Sequence, residues 1–157
     1  MIKILNSSPW YAKTTELLSF ASELLGIEGD ASITIICDSR RLDMLSKEYK
    51  FDAALLSTPL SGTYNLLLRD MMVATNPSVI FHEAVHLRQY VSGELVFDLK
   101  TGSCEWMGRK YSADYPYRQR PWEREAFSES PKIMREWKAA QKSVNKVRKC
   151  LFGKKSK

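Results

Sequence analysis

At 157 residues, 44% hydrophobic and 27% charged, the chain is long enough for one domain around a single core, and its composition excludes a disordered or fibrous protein. No apolar run approaches the roughly 20 residues of a membrane span, and the first nine residues are too short and polar for a secretory signal, so cytoplasmic location is expected; packaging into a viral particle would leave no mark on the sequence. Net charge is +6, and Cys37, Cys104 and Cys150 are scattered, with no CxxC, which argues against a disulfide framework or a zinc ribbon.

In chain order, residues 10–25 predict an amphipathic helix, with Leu17, Leu18, Ala21, Leu24 and Leu25 at helical spacing and Gly26 as the stop. Ala31–Cys37 reads as a strand, and 41–50 as a short helix. Segments 51–57 and 63–69 read as strands on either side of a turn at Thr58–Gly62, the second expected at the sheet edge, where an extended peptide could pair with it. Residues 77–92 form the next helix, capped by Asn76, with Pro77 in the first turn and Ser92-Gly93 as the stop. Gly93–Tyr111 predicts a β-hairpin turning near Lys100–Gly102, and 112–120 a loop rich in Tyr and Arg. Pro121 starts a helix to about 129, and Pro131 restarts the chain into a last helix over 131–150 with Ile133, Met134, Trp137, Ala140, Val144, Val147 and Leu151 as its apolar stripe. The expected organisation is α+β, one domain over 1–152 and a mobile basic tail over 153–157.

The chemistry concentrates in His82-Glu83-Ala84-Val85-His86, which is HExxH and uses both histidines of the chain. Positions i and i+4 share a helix face one turn apart, so two imidazoles there can hold one metal ion, with Zn²⁺ the usual occupant. Glu83 beside them would serve as general base to a water whose pKa the metal lowers from about 15.7 to about 7. A catalytic zinc takes three protein ligands, and with no third histidine the remaining one must be a carboxylate or thiolate. In Pro121-Trp122-Glu123-Arg124-Glu125-Ala126, Glu123 and Ala126 share a face, and the small Ala126 would let this helix approach the first closely, turning Glu123 to the metal and Glu125 away. Glu125 is the alternative third ligand, and Cys104 the thiolate candidate. Gln89, on the HExxH helix, reads as a solvated residue in preference to one supporting a ligand.

HExxH followed by a helix bearing Glu-x-x-Ala resembles the gluzincin metallopeptidases, and the Pro-x-Glu-x-Glu-Ala form is similar to compact minigluzincin domains of bacterial and phage proteins. The resemblance covers roughly residues 76–128 and departs at Phe127, where many relatives carry Asp or Asn. It implies a zincin-like fold, with a small mixed sheet packed on the active-site helix, a β-hairpin insert and C-terminal helices. It also implies a zinc peptidase in which His82, His86 and Glu123 hold Zn²⁺ and Glu83 is the base acting on a peptide or protein substrate. Tyr117, four residues before Pro121, is the expected donor to the oxyanion, ahead of Tyr111, Tyr115 and Arg118.

Two other classes compete. A catalytically silent zincin fold could serve as a structural or interaction protein, for example in a phage particle, binding a partner through its basic C-terminal helix; a fourth protein ligand, Glu125 or Cys104, would mark such a closed site. A nucleic-acid-associated protease ranks lower, since no nucleic-acid motif accompanies the charge and a cysteine ribbon is missing. The basic residues after 131 read as a solvated face or a site for an anionic partner.

Overall fold

The computed structural model describes residues 2–5, 9–45, 49–58, 60–98 and 101–152. The expected tail over 153–157, Pro59 and Lys100 of the expected turns, and 46–48 of the expected short helix lie outside the described residues. The fold is α+β. Strands β1 (Ile2–Ile4), β2 (Ala31–Cys37), β3 (Ala53–Ser57) and β4 (Thr63–Leu68) form a mixed sheet in the order β1-β2-β4-β3. The first three strands of that order run parallel, and β3 closes the sheet antiparallel to β4, with Leu55 opposite Leu66.

Helix α1 (Ala12–Leu24) links β1 to β2 and buries Leu17, Leu18 and Ala21 of the predicted stripe, whereas Leu24 is exposed and Leu25 half-buried at the helix end. Alternate residues of β2, Ala31, Ile33 and Ile35, enter the same core. Helix α2 (Ser39–Leu45) starts two residues earlier than expected and buries only Leu42. A four-residue helix, α3 (Met71–Ala74), is capped by the Asp70 carboxylate, which accepts from Val73 N–H at 2.9 Å. The Asn76 side chain then accepts from Ser78 N–H at 3.0 Å and starts α4 (Pro77–Val91). Each cap satisfies an N–H that the first helical turn would leave orphaned. Helix α4 is the centre of the molecule, burying Ile80, Phe81, Ala84, Val85 and Leu87.

Three expectations are corrected. Strand β4, expected at the sheet edge, is internal, and β1 and β3 are the edges. Consecutive Leu66, Leu67 and Leu68 are all buried, as befits a strand covered on both faces. The predicted hairpin is a three-stranded meander, β5 (Leu95–Phe97), β6 (Cys104–Trp106) and β7 (Arg109–Tyr111). Its second turn places Met107 at φ 49° and Gly108 at φ 80°, the positive pair of a tight hairpin turn. Finally, Pro131 does not divide two helices: α5 runs unbroken from Pro121 to Phe152. Proline removes one helical hydrogen bond, to the Phe127 carbonyl. Pro131 and Phe127 both lie on the exposed side, where water can serve that carbonyl. Burial of Ile133 and Trp137 holds the turns beyond it against the core. There Trp137 meets Phe20 of α1 at 4.9 Å and Phe81 of α4 at 6.1 Å between ring centroids, tying three helices together.

Candidate metal centre

Helix α4 presents His82 and His86 on one face, and the first turn of α5 lies against it. Ala126 is fully buried, so the two backbones approach as the Glu-x-x-Ala spacing predicts, and Glu123 turns inward. Glu123 Oε2 lies 3.2 Å from His82 Nε2 and 3.4 Å from His86 Nε2, and the two ring nitrogens are 3.1 Å apart. Four-coordinate ions with bonds of about 2.0–2.1 Å separate their ligand atoms by about 3.3 Å. The triangle of donors therefore has the size of one face of such a coordination tetrahedron. Among the described residues these three form the one group of donors close enough to share an ion.

The alternatives to Glu123 lie outside the donor group. Glu125 accepts from Arg88 at 2.7 Å and from Gln89 at 2.8 Å, and Cys104 lines the neighbouring cleft outside the donor group. Gln89, expected to be solvated, is fully buried. Its Nε2 donates to the Trp122 carbonyl at 3.0 Å and to Glu125, which leaves Oε1, 2.8 Å from His86 Nδ1, as the acceptor. In its neutral form His86 then carries its proton on Nδ1 and presents a lone pair at Nε2, the tautomer a metal ligand needs. Arg88 extends the chain outward to Glu94 at 2.8 Å. Periodicity alone could have flagged Gln89: three residues after His86, it shares the buried face of α4. Phe127, next to Ala126, packs its ring 4.6 Å from that of His82.

Electrostatics follow from this crowding. Burial pulls the His86 pKa down, but the hydrogen bond and charge of Glu123 outweigh it and lift the imidazole to about 9. Burial also opposes ionisation of Glu123, yet its hydrogen bonds to His82 and His86 hold the carboxyl well below the ordinary range. Glu83 is pushed up, chiefly by burial, with the two imidazoles pulling the other way. Its Oε2 accepts the Leu55 N–H at 2.7 Å, anchoring the carboxylate to the edge strand β3.

A cleft of about 370 Å³ opens beside the donors. Glu83, His86 and Glu123 line it, with β3, the meander and the loop ahead of α5 as its walls. Tyr117 is in that wall, whereas Tyr111, Tyr115 and Arg118 are not. Burial raises the Tyr117 phenol, as do the charge of Glu123 and a hydrogen bond to it. Its ring rests on Tyr49 and Phe51, at 5.2 and 5.4 Å. Of the remaining aromatics, Trp122 is buried and packs against Trp106 and Tyr111. Comparison of the chain with protein-family models, with curated proteins and with solved structures returned no match.

Proposed function

We propose that the protein is a zinc-dependent metallopeptidase of the gluzincin type. The observation that carries this reading is the convergence of His82, His86 and Glu123 at ligand spacing, with the buried Glu83 beside them on a cleft. The donor set of two imidazoles and one carboxylate suits zinc and leaves a fourth position for water or substrate. Zinc held there would supply an acidified water and a Lewis acid for the scissile carbonyl.

The chain's own residues would do the rest. Glu83 Oε2 is held by Leu55 N–H, so Oε1 is left to take the proton of the attacking water and pass it to the leaving amine. Its raised pKa brings it closer to the range in which one group can serve as both base and acid. Tyr117 would donate to the developing oxyanion once substrate displaces its contact with Glu123. An extended peptide or protein segment would lie along β3, the sheet edge that borders the cleft. No helix among the described residues is long and apolar enough to cross a membrane.

The test is metal content by elemental mass spectrometry after zinc is supplied, followed by cleavage of a mixed peptide library. One zinc per chain is expected, with Glu83→Gln keeping the metal and losing cleavage by a factor of 10² to 10⁴. Undiminished cleavage by that variant would refute the assignment.

A further inference from the structure

The continuity of α5 through Pro131 has a consequence away from the metal centre. At about 100° per residue, Arg135, Lys138, Lys142, Lys146 and Lys149 fall within a sector of about 80° on one helix face. Arg135 and Lys149 are 14 residues apart, or about 21 Å along the helix. All five are exposed, and none takes part in an ion pair among the described residues. Apart from Ala140 and Gln141, which are half-buried, every residue from Lys138 to Cys150 is exposed, so this part of α5 projects from the body. Neighbouring cations at i+3 and i+4 repel, by roughly 0.2–0.5 kcal/mol per pair. The stripe holds four such pairs in succession, a face that is self-repelling until a polyanion covers it.

We infer that this stripe is a docking surface for the phosphate backbone of duplex nucleic acid, bound without sequence preference. The chemistry of the face selects this occupant. Interfaces with proteins are built on aromatic, Met and Arg anchors and are depleted in Lys; here four of the five cations are lysines, interleaved with Ala139, Ser143 and Asn145. An anionic membrane would need a broad apolar face with aromatic or leucine side chains opposite the charges; among the described side chains beyond Lys138, α5 offers there the half-buried Ala140 with Val144 and Val147, 55% and 56% exposed. Single strands are held by stacked aromatics, and the stripe has none. What remains is a row of point charges on flexible stems, suited to phosphates and indifferent to bases. The inference does not depend on the metal centre.

The experiment is fluorescence polarisation of a labelled random 20-base-pair duplex with the full chain, between 50 and 200 mM salt. Five phosphate contacts give a slope of log K against log salt near −4.5, or about 500-fold weaker binding over that range. The triple reversal Lys138→Glu, Lys142→Glu, Lys146→Glu should abolish binding at 50 mM salt with an unchanged circular dichroism spectrum. The milder Lys→Gln set at the same positions, which leaves two contacts, should lower the slope to about −2. No binding of the duplex at 50 mM salt, or binding and slope unaltered in the Lys→Gln protein, overturns the inference. So does tighter binding to phosphatidylserine vesicles or to polyglutamate than to the duplex.

Discussion

Gln89 offers the sharpest test of how the centre is built, because one side chain joins His86 to the helix that carries Glu123. Replacement by Leu keeps the volume and removes three buried hydrogen bonds, to His86 Nδ1, the Trp122 carbonyl and Glu125. Leaving the His86 N–H buried and unpaired costs about 1–3 kcal/mol, and the other two bonds about 1 kcal/mol each. Gln89→Leu should therefore lose roughly 3–5 kcal/mol of stability in the metal-free protein. It should also weaken zinc binding about 10- to 100-fold, since the imidazole is no longer held in its ligating tautomer. Gln89→Glu separates the two effects. A carboxylate still accepts from His86 Nδ1, but it cannot donate to Trp122 and it repels Glu125. It should match the Leu variant in lost stability and keep most of the metal affinity. Thermal denaturation of the metal-free proteins and competition against a chromophoric chelator read the two quantities independently. Zinc affinity in Gln89→Leu within threefold of the parent, or an equal loss in both variants, would refute the reasoning.

Two further predictions concern the same centre. Ala126→Leu inserts three carbons where a fully buried methyl separates α4 from α5; it should cost about 1–3 kcal/mol and weaken zinc binding by moving Glu123 off the histidines, and chelator competition showing unchanged affinity would exclude the close approach as the determinant. In the metal-free protein the folded state holds the His86 proton more tightly than the unfolded chain does, since its pKa is raised from 6.5 to about 9. That stabilisation is complete below about pH 6.5 and vanishes as pH climbs through about 9, a loss of roughly 3 kcal/mol. Zinc competes for the same lone pair, so the loaded protein should lack this decline; denaturant midpoints at pH 6, 7.5 and 9, with and without zinc, decide it.

The residues that announce the centre were legible because their spacing is itself the geometry. His82 and His86 need only a helix to become neighbours, and Glu123 with Ala126 needs only a second helix packed closely on the first. Gln89 was misjudged because its type suggests water while its position, on the buried face of α4, dictates burial. Tyr117 stands in the cleft wall, but its hydrogen bond to Glu123 depends on how the loop folds back, which no local pattern encodes. The edge expected for the strand over 63–69 falls to an internal position for a related reason. Strand pairing is decided between distant segments, and the mark of a central strand was the unbroken Leu66-Leu67-Leu68, which reads equally well as one half of a hairpin.

Pro131 shows the same competition on the side of propensity. Local chemistry says that a helix ends there, at a cost near 3 kcal/mol for continuing. Burial of Ile133 and Trp137, whose side chains repay about 1.5–3 kcal/mol each, is enough to carry the helix through. The lost bond falls on the solvent side, where it costs least. One continuous α5 then performs two tasks that two shorter helices with a bend between them would not. Its first turn sets Glu123 against the histidines, and its last four turns align five cations that would otherwise point along two axes. A flexible joint introduced within the stripe, for example by Gly-Gly at 139–140, should leave the zinc affinity intact and reduce duplex binding. Loss of both together would mean that the projecting arm is part of the structural support of the metal centre.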